Sequence, residues 1–579
     1  MGQLVETYTS SDMEDFSPSE QHNLAPFFTN LTEPVFGLRL PQEVAGALFS
    51  RYSRSAKSLR RIFLDEFFAN SDLLLHQLPG GFPSATDQGA ALKKAREFYD
   101  RVLVGYGDDS VAQLGGAHVA CEQISNVAAK LLEDARIGIA PLEKSTRYVR
   151  FDAKDLNGDF LFYKEPKIMA SPYREAYLSV MRSLFETYAA EIEPLIAFVR
   201  QSLPIETVEW KHPQTGEPLT YKDAVKDERL RRWAETAYRS TVRAQACDVL
   251  RAYLPAATLT NVGLFGVGQA FEHLLNKLYS HDLAEAQSLA AGIHAALNVL
   301  IPSFVKRARR NEYLAETFAA TRTLTTQLLA RTPVESSQSV RLVDYDAEAE
   351  EKIVAAILYP HSRHSLPQLR QVVARMTAEQ RRQVLDEHLQ RRRHRRDKPG
   401  RALEQAYYTF DIVGNLGLYR DLQRHRLLTQ ERQDFTTMHG YDTPPEIAAA
   451  GFQLAFAHCM EQAAQLHEQI SRDLPLEAQY VVPFAYRVRW YMKLNLREAV
   501  HIGELRTMPQ GHPDYRLIVQ EMWKQITAVH PTLARSARFI DWQTYRLGRL
   551  QAEMRSEYKK SAVGSQQPTV SGQQDEEKP

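Results

Sequence analysis

Apolar positions along the chain fall mainly at helical spacing. Leu178, Met181, Phe185 and Tyr188 recur at intervals of three or four residues and run into Leu203-Pro204. Phe452, Phe456, Met460, Ala463 and Leu466 do the same ahead of Leu474-Pro475. Each helix pattern is followed by a second Pro-marked stretch, RAYLPAATLT from Arg251 to Thr260 and QYVVPFAYR from Gln479 to Arg487. Each then leads into a long helical pattern that stops at proline, at Pro302 and at Pro531. The same order of signals met twice predicts an internal duplication. Stretches rich in β-branched and aromatic residues are short, and STRYVRFD around Tyr148 and AYYTFDIVG around Phe410 are the strand candidates. The expected fold class is α+β, two tandem helix-rich domains with short-stranded sheets.

Boundaries follow from composition. A mobile tail is expected over 1–30, a first repeat over 31–335, a second over 340–545 and a polar tail over 546–579. The first repeat carries extra residues over about 205–240, beginning IETVEWKHPQTGEPLTYKDAVKDERL, which read as a surface insertion. The join is polar and Pro/Ser-marked, RTPVESSQSVRLVDY over 331–345.

At 579 residues and 44% hydrophobic, the chain can bury more than one core. Lys+Arg and Asp+Glu balance at 71 each, so no overall field recruits nucleic acid or an anionic membrane. Cys121, Cys247 and Cys459 sit in helix-like, Ala-rich settings and read as buried thiols of a reducing compartment, with no disulfide or metal site. The N-terminus lacks a basic and then apolar leader, and no run of about 18 apolar residues occurs, so a cytoplasmic location without membrane is expected. The run RRRHRRDKPGR, Arg391 to Arg401, reads as a solvated loop dispensable for chemistry, with phosphate or nucleic-acid contact as its alternative. GLFGVGQ, Gly263 to Gln269, lacks the order of a dinucleotide loop and reads as tight helix packing.

Candidate chemistry begins with Arg424-His425-Arg426, which alone reads as the solvated, basic end of a helix. Its company changes that reading. LEQAYYTFDI precedes it, with Glu404 twenty residues before Arg424, and NLREAVHIGELR comes after it, supplying Asn495, Arg497, His501 and Arg506. With these motifs the second half resembles the flavin-dependent thymidylate synthase family, whose signature is Arg-His-Arg, seven residues and Ser. Here Asp434 stands at the Ser position, Thr436 replaces the family's phosphate-binding arginine, and His501 replaces an Asn. In the first half EKSTRY, with Glu143, Ser145, Arg147 and Tyr148, resembles the family's Glu-x-Ser-x-Arg-Tyr nucleotide loop. Arg251 in RAYLP matches the family's Arg-x-x-Leu-Pro arginine, where the second half has Gln479. Conversely, the first half keeps only Arg136 of the Arg-His-Arg triplet and has Gly268, Ala270 and Tyr279 where the second has Asn495, Arg497 and Arg506. Each half lacks what the other keeps.

The resemblance implies an FAD-dependent thymidylate synthase that converts dUMP to dTMP, with methylenetetrahydrofolate as one-carbon donor and NADPH or NADH as reductant. It implies that Glu404, Arg424, His425, Arg426, Asn495, Arg497 and His501 contact the flavin. Glu143, Ser145, Arg147, Arg251 and Arg506 would bind dUMP, Arg424 and Arg506 would be the catalytic cations, and no metal is needed. The family assembles each site from several subunits of a homotetramer, so a fused chain implies a homodimer with two composite sites. Two alternatives remain open on the same residues: a catalytically degenerate flavin- or nucleotide-binding paralogue, and a nucleic-acid binder acting through Arg391 to Arg401. Single residues have plain alternatives as well: Asn495 as a helix N-cap, Arg147 and Arg251 as surface ion pairs, Tyr148 and Phe410 as core strand residues.

Overall fold

The computed structural model describes residues 14–68, 109–335 and 338–564. The described part of the expected N-terminal tail is packed. Ser17 and Glu20 form a reciprocal capping box at the head of helix α1 (Pro18–Leu24). Leu24, Phe27 and Phe28 are then buried with Leu48 of α2 (Gln42–Tyr52), Ile62 of α3 (Leu59–Ile62) and Phe63. Residues 1–13 of that tail lie outside the described residues. Phe16, Phe27 and Phe28, buried in one cluster, are what the mobile-tail reading overlooked.

Two compact units result. One comprises residues up to Glu122, Leu131–Glu143 and Asn261–Thr332; the other comprises Gln123–Lys130, Lys144–Thr260 and the chain from Pro333. Along the chain one order of elements occurs twice. The first pass is β1 (Gly116–Ser125), α4 (Asn126–Glu133), β2 (Ile139–Glu143), α5 (Arg174–Ser202), the 3-10 turn Arg251–Tyr253, β5 (Leu259–Val267), α7 (Gly268–Tyr279) and α8 (Ala284–Leu300). It is interrupted after α5 by β3 (Trp210–Lys211), β4 (Pro218–Leu219) and α6 (Glu228–Leu250). After β6 (Val340–Tyr345) the second pass runs β7 (Tyr407–Asn415), α9 (Leu416–Leu422), β8 (Thr429–Arg432), α10 (Gln453–Asp473), the 3-10 turn Glu477–Val481, β9 (Arg487–Asn495), α11 (Leu496–Arg506) and α12 (Pro513–Val529). In both sheets the strand after the Pro-marked turn is internal, the orders being β1-β5-β2 and β6-β7-β9-β8.

The helical spacings hold: Leu178, Met181, Phe185, Tyr188, Phe456, Met460, Ala463 and Leu466 are all buried. The strand expected around Phe410 is β7, which pairs antiparallel with β9 from Tyr407↔Asn495 to Asn415↔Arg487. Phe410 is fully buried on it. The strand expected around Tyr148 does not form. There the Ser145 hydroxyl accepts a 3.2 Å hydrogen bond from the Arg147 amide, a local turn that competes with strand pairing, and Tyr148 is exposed in a loop. Cys121 lies on β1 rather than on a helix; all three cysteines are buried, and desolvation pushes the Cys121 and Cys247 thiols up to about 11. GLFGVGQ is the junction of β5 and α7, as tight packing requires: a Cβ on Gly266 would lie 2.3 Å from Ile139 Cδ1.

The insertion is not merely superficial. Trp210, Leu219, Ala224, Ala234 and Ala237 are buried, and α6 packs against α13 (Leu550–Gly564), with Trp233 and Tyr558 rings 5.4 Å apart. The expected polar C-terminal tail is thus helical as far as Gly564, and residues 565–579 lie outside the described residues. Among the described residues no helix is long and apolar enough to cross a membrane.

Within the second unit, one set of backbone bonds ties segments of the two repeats together. Phe484 N donates to Leu254 O at 2.9 Å, Ala485 N to Ala252 O at 3.0 Å, Ala256 N to Val482 O at 2.8 Å and Ala257 N to Tyr480 O at 2.9 Å. The two equivalent Pro-marked turns of the two repeats are therefore hydrogen-bonded to each other, antiparallel across Pro255 and Pro483.

Candidate functional site

Pairing of the turns delivers Arg251, from the first repeat, onto the start of α9 in the second. Arg251 is 4% exposed and crosses Gly417, where a Cβ would stand 3.3 Å from its Nε. Its Nη1 lies 3.5 Å from Asp421, and its buried Nη2 has no hydrogen-bond partner among the described residues. Arg147, on the loop after β2, is pinned. Nε and Nη2 hold Asp248 of α6 at 2.9 and 3.1 Å, and Nη1 reaches the Tyr515 hydroxyl at 3.2 Å. Asp248 also accepts from Arg549 Nη2. Burial opposes ionisation of Asp248, but Arg147 and Arg549 override it and hold the carboxyl at about 2.

Helix α9 is capped by Asn415, whose Oδ1 accepts from Leu418 N at 2.9 Å, and its end carries the Arg-His-Arg triplet. Arg424 is exposed and Arg426 half-buried, but His425 is 5% exposed and no part of a solvated helix end. Its Nδ1 lies 3.0 Å from Glu498 Oε1, and its Nε2 accepts from Arg506 Nε at 2.8 Å. An arginine only donates, so the imidazole is unprotonated at Nε2 and gives its Nδ1 proton to Glu498. Burial, reinforced by Arg506 and Lys398, keeps the His425 pKa well below 6.5. The Arg506 guanidinium stands 5.6 Å from the centre of the Tyr515 ring and that of Arg147 5.7 Å from the same ring. At Asp421 burial again opposes charge, and Arg147, Arg251, Arg424 and Arg506 hold the carboxyl well below the usual range. Two arginines from each repeat thus act on one buried carboxylate.

Other expected residues are brought near this centre but are engaged with protein. Asn495 caps α11 through Glu498 N at 2.9 Å. Arg497 binds Glu404 at 2.8 Å and the Pro399 carbonyl at 2.9 Å. His501 Nδ1 is 2.6 Å from Lys398 Nζ, and burial lowers its pKa to about 4. The run Arg391 to Arg401 is therefore not the solvated loop expected of it. Lys398 and the Pro399 carbonyl contact α11 through His501 and Arg497, and buried Arg392 grips Glu504 through two bonds of 3.0 and 2.6 Å. The run had to touch α11 because Glu504 would otherwise be a buried, uncompensated charge. His425, Glu498 and His501 offer ligand atoms within 4.8 Å of one another, but donors from Arg506 and Lys398 already occupy both imidazoles. Glu143 is buried at the end of β2 opposite Val262, in the first unit, whereas the loop from Lys144 belongs to the second.

In the second repeat's own loop Gln479 replaces the arginine. Its Oε1 accepts from Phe435 N at 3.1 Å and its Nε2 donates to Leu476 O at 3.1 Å. The adjoining cavity of about 590 Å³ is lined by Asp434, Glu461 and Glu468, a poor setting for phosphate. A second cavity, of about 550 Å³, is lined by Arg251, Arg546 and His512 together with Asp248, Asp442, Glu446 and Asp514, and so differs from the first in offering arginines. Sequence reasoning missed Asp248, Asp421, Glu498, Tyr515 and Arg549. A signal existed for two of them: Asp248 and Asp421 each stand three residues before a motif arginine, in DVLR and DLQR.

The sequence model of the thymidylate synthase complementing protein family matches residues 76–303 and 341–532. The UPF0159 protein of Chlamydia pneumoniae is 39% identical over 94% of this chain and 98% of its own length. The UPF0159 protein Ta1429 of Thermoplasma acidophilum is 35% identical over 90% of this chain and 99% of its own. A flavin-dependent thymidylate synthase of Geobacter sulfurreducens is 28% identical over 23% of this chain and 62% of its own. Among solved structures, flavin-dependent thymidylate synthase ThyX from Helicobacter pylori, complexed with FAD and dUMP, aligns over 35% of this chain and all 100% of its own at 14% identity and TM-score 0.27. With both repeats matched by the family's sequence model, the chain belongs to the thymidylate synthase complementing protein family.

Proposed function

We propose that the protein is a flavin-dependent thymidylate synthase whose nucleotide site is composed from both repeats. The observation that carries this reading is that Arg147, Arg251, Arg424 and Arg506 all act electrostatically on Asp421, with Arg251 Nη2 lacking a partner among the described residues. A buried guanidinium nitrogen without an acceptor is costly, and a phosphate oxygen of dUMP would satisfy it in a charge-assisted bond. The neighbouring cavity of about 550 Å³ is of small-ligand size, with apolar walls for a base and sugar. In that site Arg506 would face the pyrimidine and stabilise negative charge as C5 becomes nucleophilic. The methylene carbon of methylenetetrahydrofolate would bond to C5 as its bond to one folate nitrogen breaks, the C5 proton would leave to solvent, and a hydride would complete the methyl group as the second carbon–nitrogen bond breaks and tetrahydrofolate leaves.

A flavin would bind at the exposed end of the triplet, where Arg424 and Arg426 supply positive charge. When bound it supplies the hydride taken from NADPH or NADH. Arg497 holds Glu404 and the Pro399 carbonyl, His501 meets the Lys398 ammonium and Asn495 caps α11, and these residues would shape that wall. One observation favours a second reading, a paralogue that binds nucleotide without turnover: Asp248 already takes two donors of Arg147. Incubation with dUMP, methylenetetrahydrofolate, FAD and NADPH decides between them. Formation of dTMP supports the synthase; dUMP binding without dTMP supports the paralogue; neither binding nor product sinks both.

A further inference from the structure

Glu498, His425 and Arg506 form a line of three buried or nearly buried groups joined at 3.0 and 2.8 Å. Only one protonation pattern satisfies both bonds. Arg506 Nε must donate, so His425 Nε2 must accept and Nδ1 must carry the proton given to Glu498. Anchoring Arg506 at Nε fixes the plane of its guanidinium, whose centre lies 5.6 Å from that of the Tyr515 ring and which is drawn to Asp421 of the arginine cluster. Glu498 is itself fixed, since its own amide is capped by Asn495.

We propose that Glu498 and His425 are positioning residues for Arg506: Glu498 sets the tautomer of His425, and His425 Nε2 anchors Arg506 Nε so that the Nη edge meets the bound pyrimidine nucleotide. The proposal rests on the composite dUMP site for its ligand. It gives the middle residue of the Arg-His-Arg triplet a task different from that of its neighbours, which are exposed or half-buried and bear permanent charge. Protonation of His425 would set an Nε2 proton against the Arg506 Nε proton. Burial and the cations of Arg506 and Lys398 disfavour that state against the single anion of Glu498, while His501, the other group facing the imidazole, is uncharged at neutral pH.

The test uses the full chain, with dUMP binding followed by calorimetry. His425→Phe removes the acceptor and should weaken dUMP binding roughly 10- to 100-fold. His425→Gln places an amide oxygen near the Nε2 position and should restore binding to within about threefold of the parent. In an Arg506→Ala background, His425→Phe should change binding by less than about twofold, because the anchored group is gone. Equal loss in the Phe and Gln variants, or an undiminished His425→Phe effect without Arg506, overturns the proposal. Crystal structures of the two His425 variants separate it from the functional reading. If the parent takes no dUMP the functional reading fails, while Arg506 displaced in the Phe variant and held in the Gln variant still supports positioning. Arg506 unmoved in the Phe variant refutes it.

Discussion

Arg251 and Arg147 share one charge cluster, yet truncating them removes different things. Arg251 Nη2 makes no hydrogen bond among the described residues, so Arg251→Ala removes a phosphate donor along with one of the several arginines that act on Asp421. It should weaken dUMP binding by about 1.5–3 kcal/mol while flavin is retained, measured by separate calorimetric titrations. Arg147→Ala leaves buried Asp248 with Arg549 as its remaining close cation and should lower folding stability as well as affinity. His501 gives a pH prediction of definite sign. The folded protein holds it at about 4, while the unfolded chain takes a proton near 6.5. Below 6.5 the unfolded state therefore binds more protons, and stability falls as pH falls from 6.5 towards 4. After discounting for its partial exposure, His501 should contribute about 1 kcal/mol of the loss between pH 7 and pH 5. His501→Gln should flatten urea-unfolding stability over that interval; an unchanged slope would exclude His501 as its source.

At the scale of elements, the run Arg391 to Arg401 divides sharply. Arg392→Ala breaks a buried two-bond pair with Glu504 and should cost about 3–5 kcal/mol in denaturant unfolding. Arg393→Ala and Arg396→Ala, at exposed positions, should stay within about 0.5 kcal/mol of the parent. Equal effects at all three would mean that the pair with Glu504 carries no stability. Sequence alone showed a uniform charge run, because the partner that singles out Arg392 lies 112 residues away. The same limit separates what was legible elsewhere. Helices around Met181 and Met460 and strand β7 could be read, since burial there repeats with the period of the element itself. The strand around Tyr148 could not, because one hydroxyl, Ser145, outweighed the composition of its neighbours. In the site, motif spacing gave the arginines but not their counter-ions: Arg147 meets Asp248 across 101 residues and His425 meets Arg506 across 81.

For the whole molecule the decisive quantity is how many nucleotide sites a chain carries. The repeats have the same order of elements, and equal sites would give two per chain. Chemistry says otherwise. The first repeat's loop and turn supply Arg147 and Arg251, whereas the second repeat's equivalents present Asp434, Thr436 and Gln479, the last hydrogen-bonded to backbone at both ends of its amide. Asp434, Glu461 and Glu468 around that second loop would repel a phosphate at any distance shorter than the roughly 8 Å screening length of physiological salt. We therefore expect one dUMP per chain in a calorimetric titration, and two per particle if the protein sediments as a homodimer of the 66.1 kDa chain. The cationic site should also bind dUMP more weakly as salt rises. Asp434→Ser with Gln479→Arg should not create a second site, because Thr436 still lacks the charge that Arg147 provides in the first repeat. Two equivalents of dUMP bound by the parent chain would show that the acidic loop accepts phosphate, and the division of labour between repeats would then be wrong.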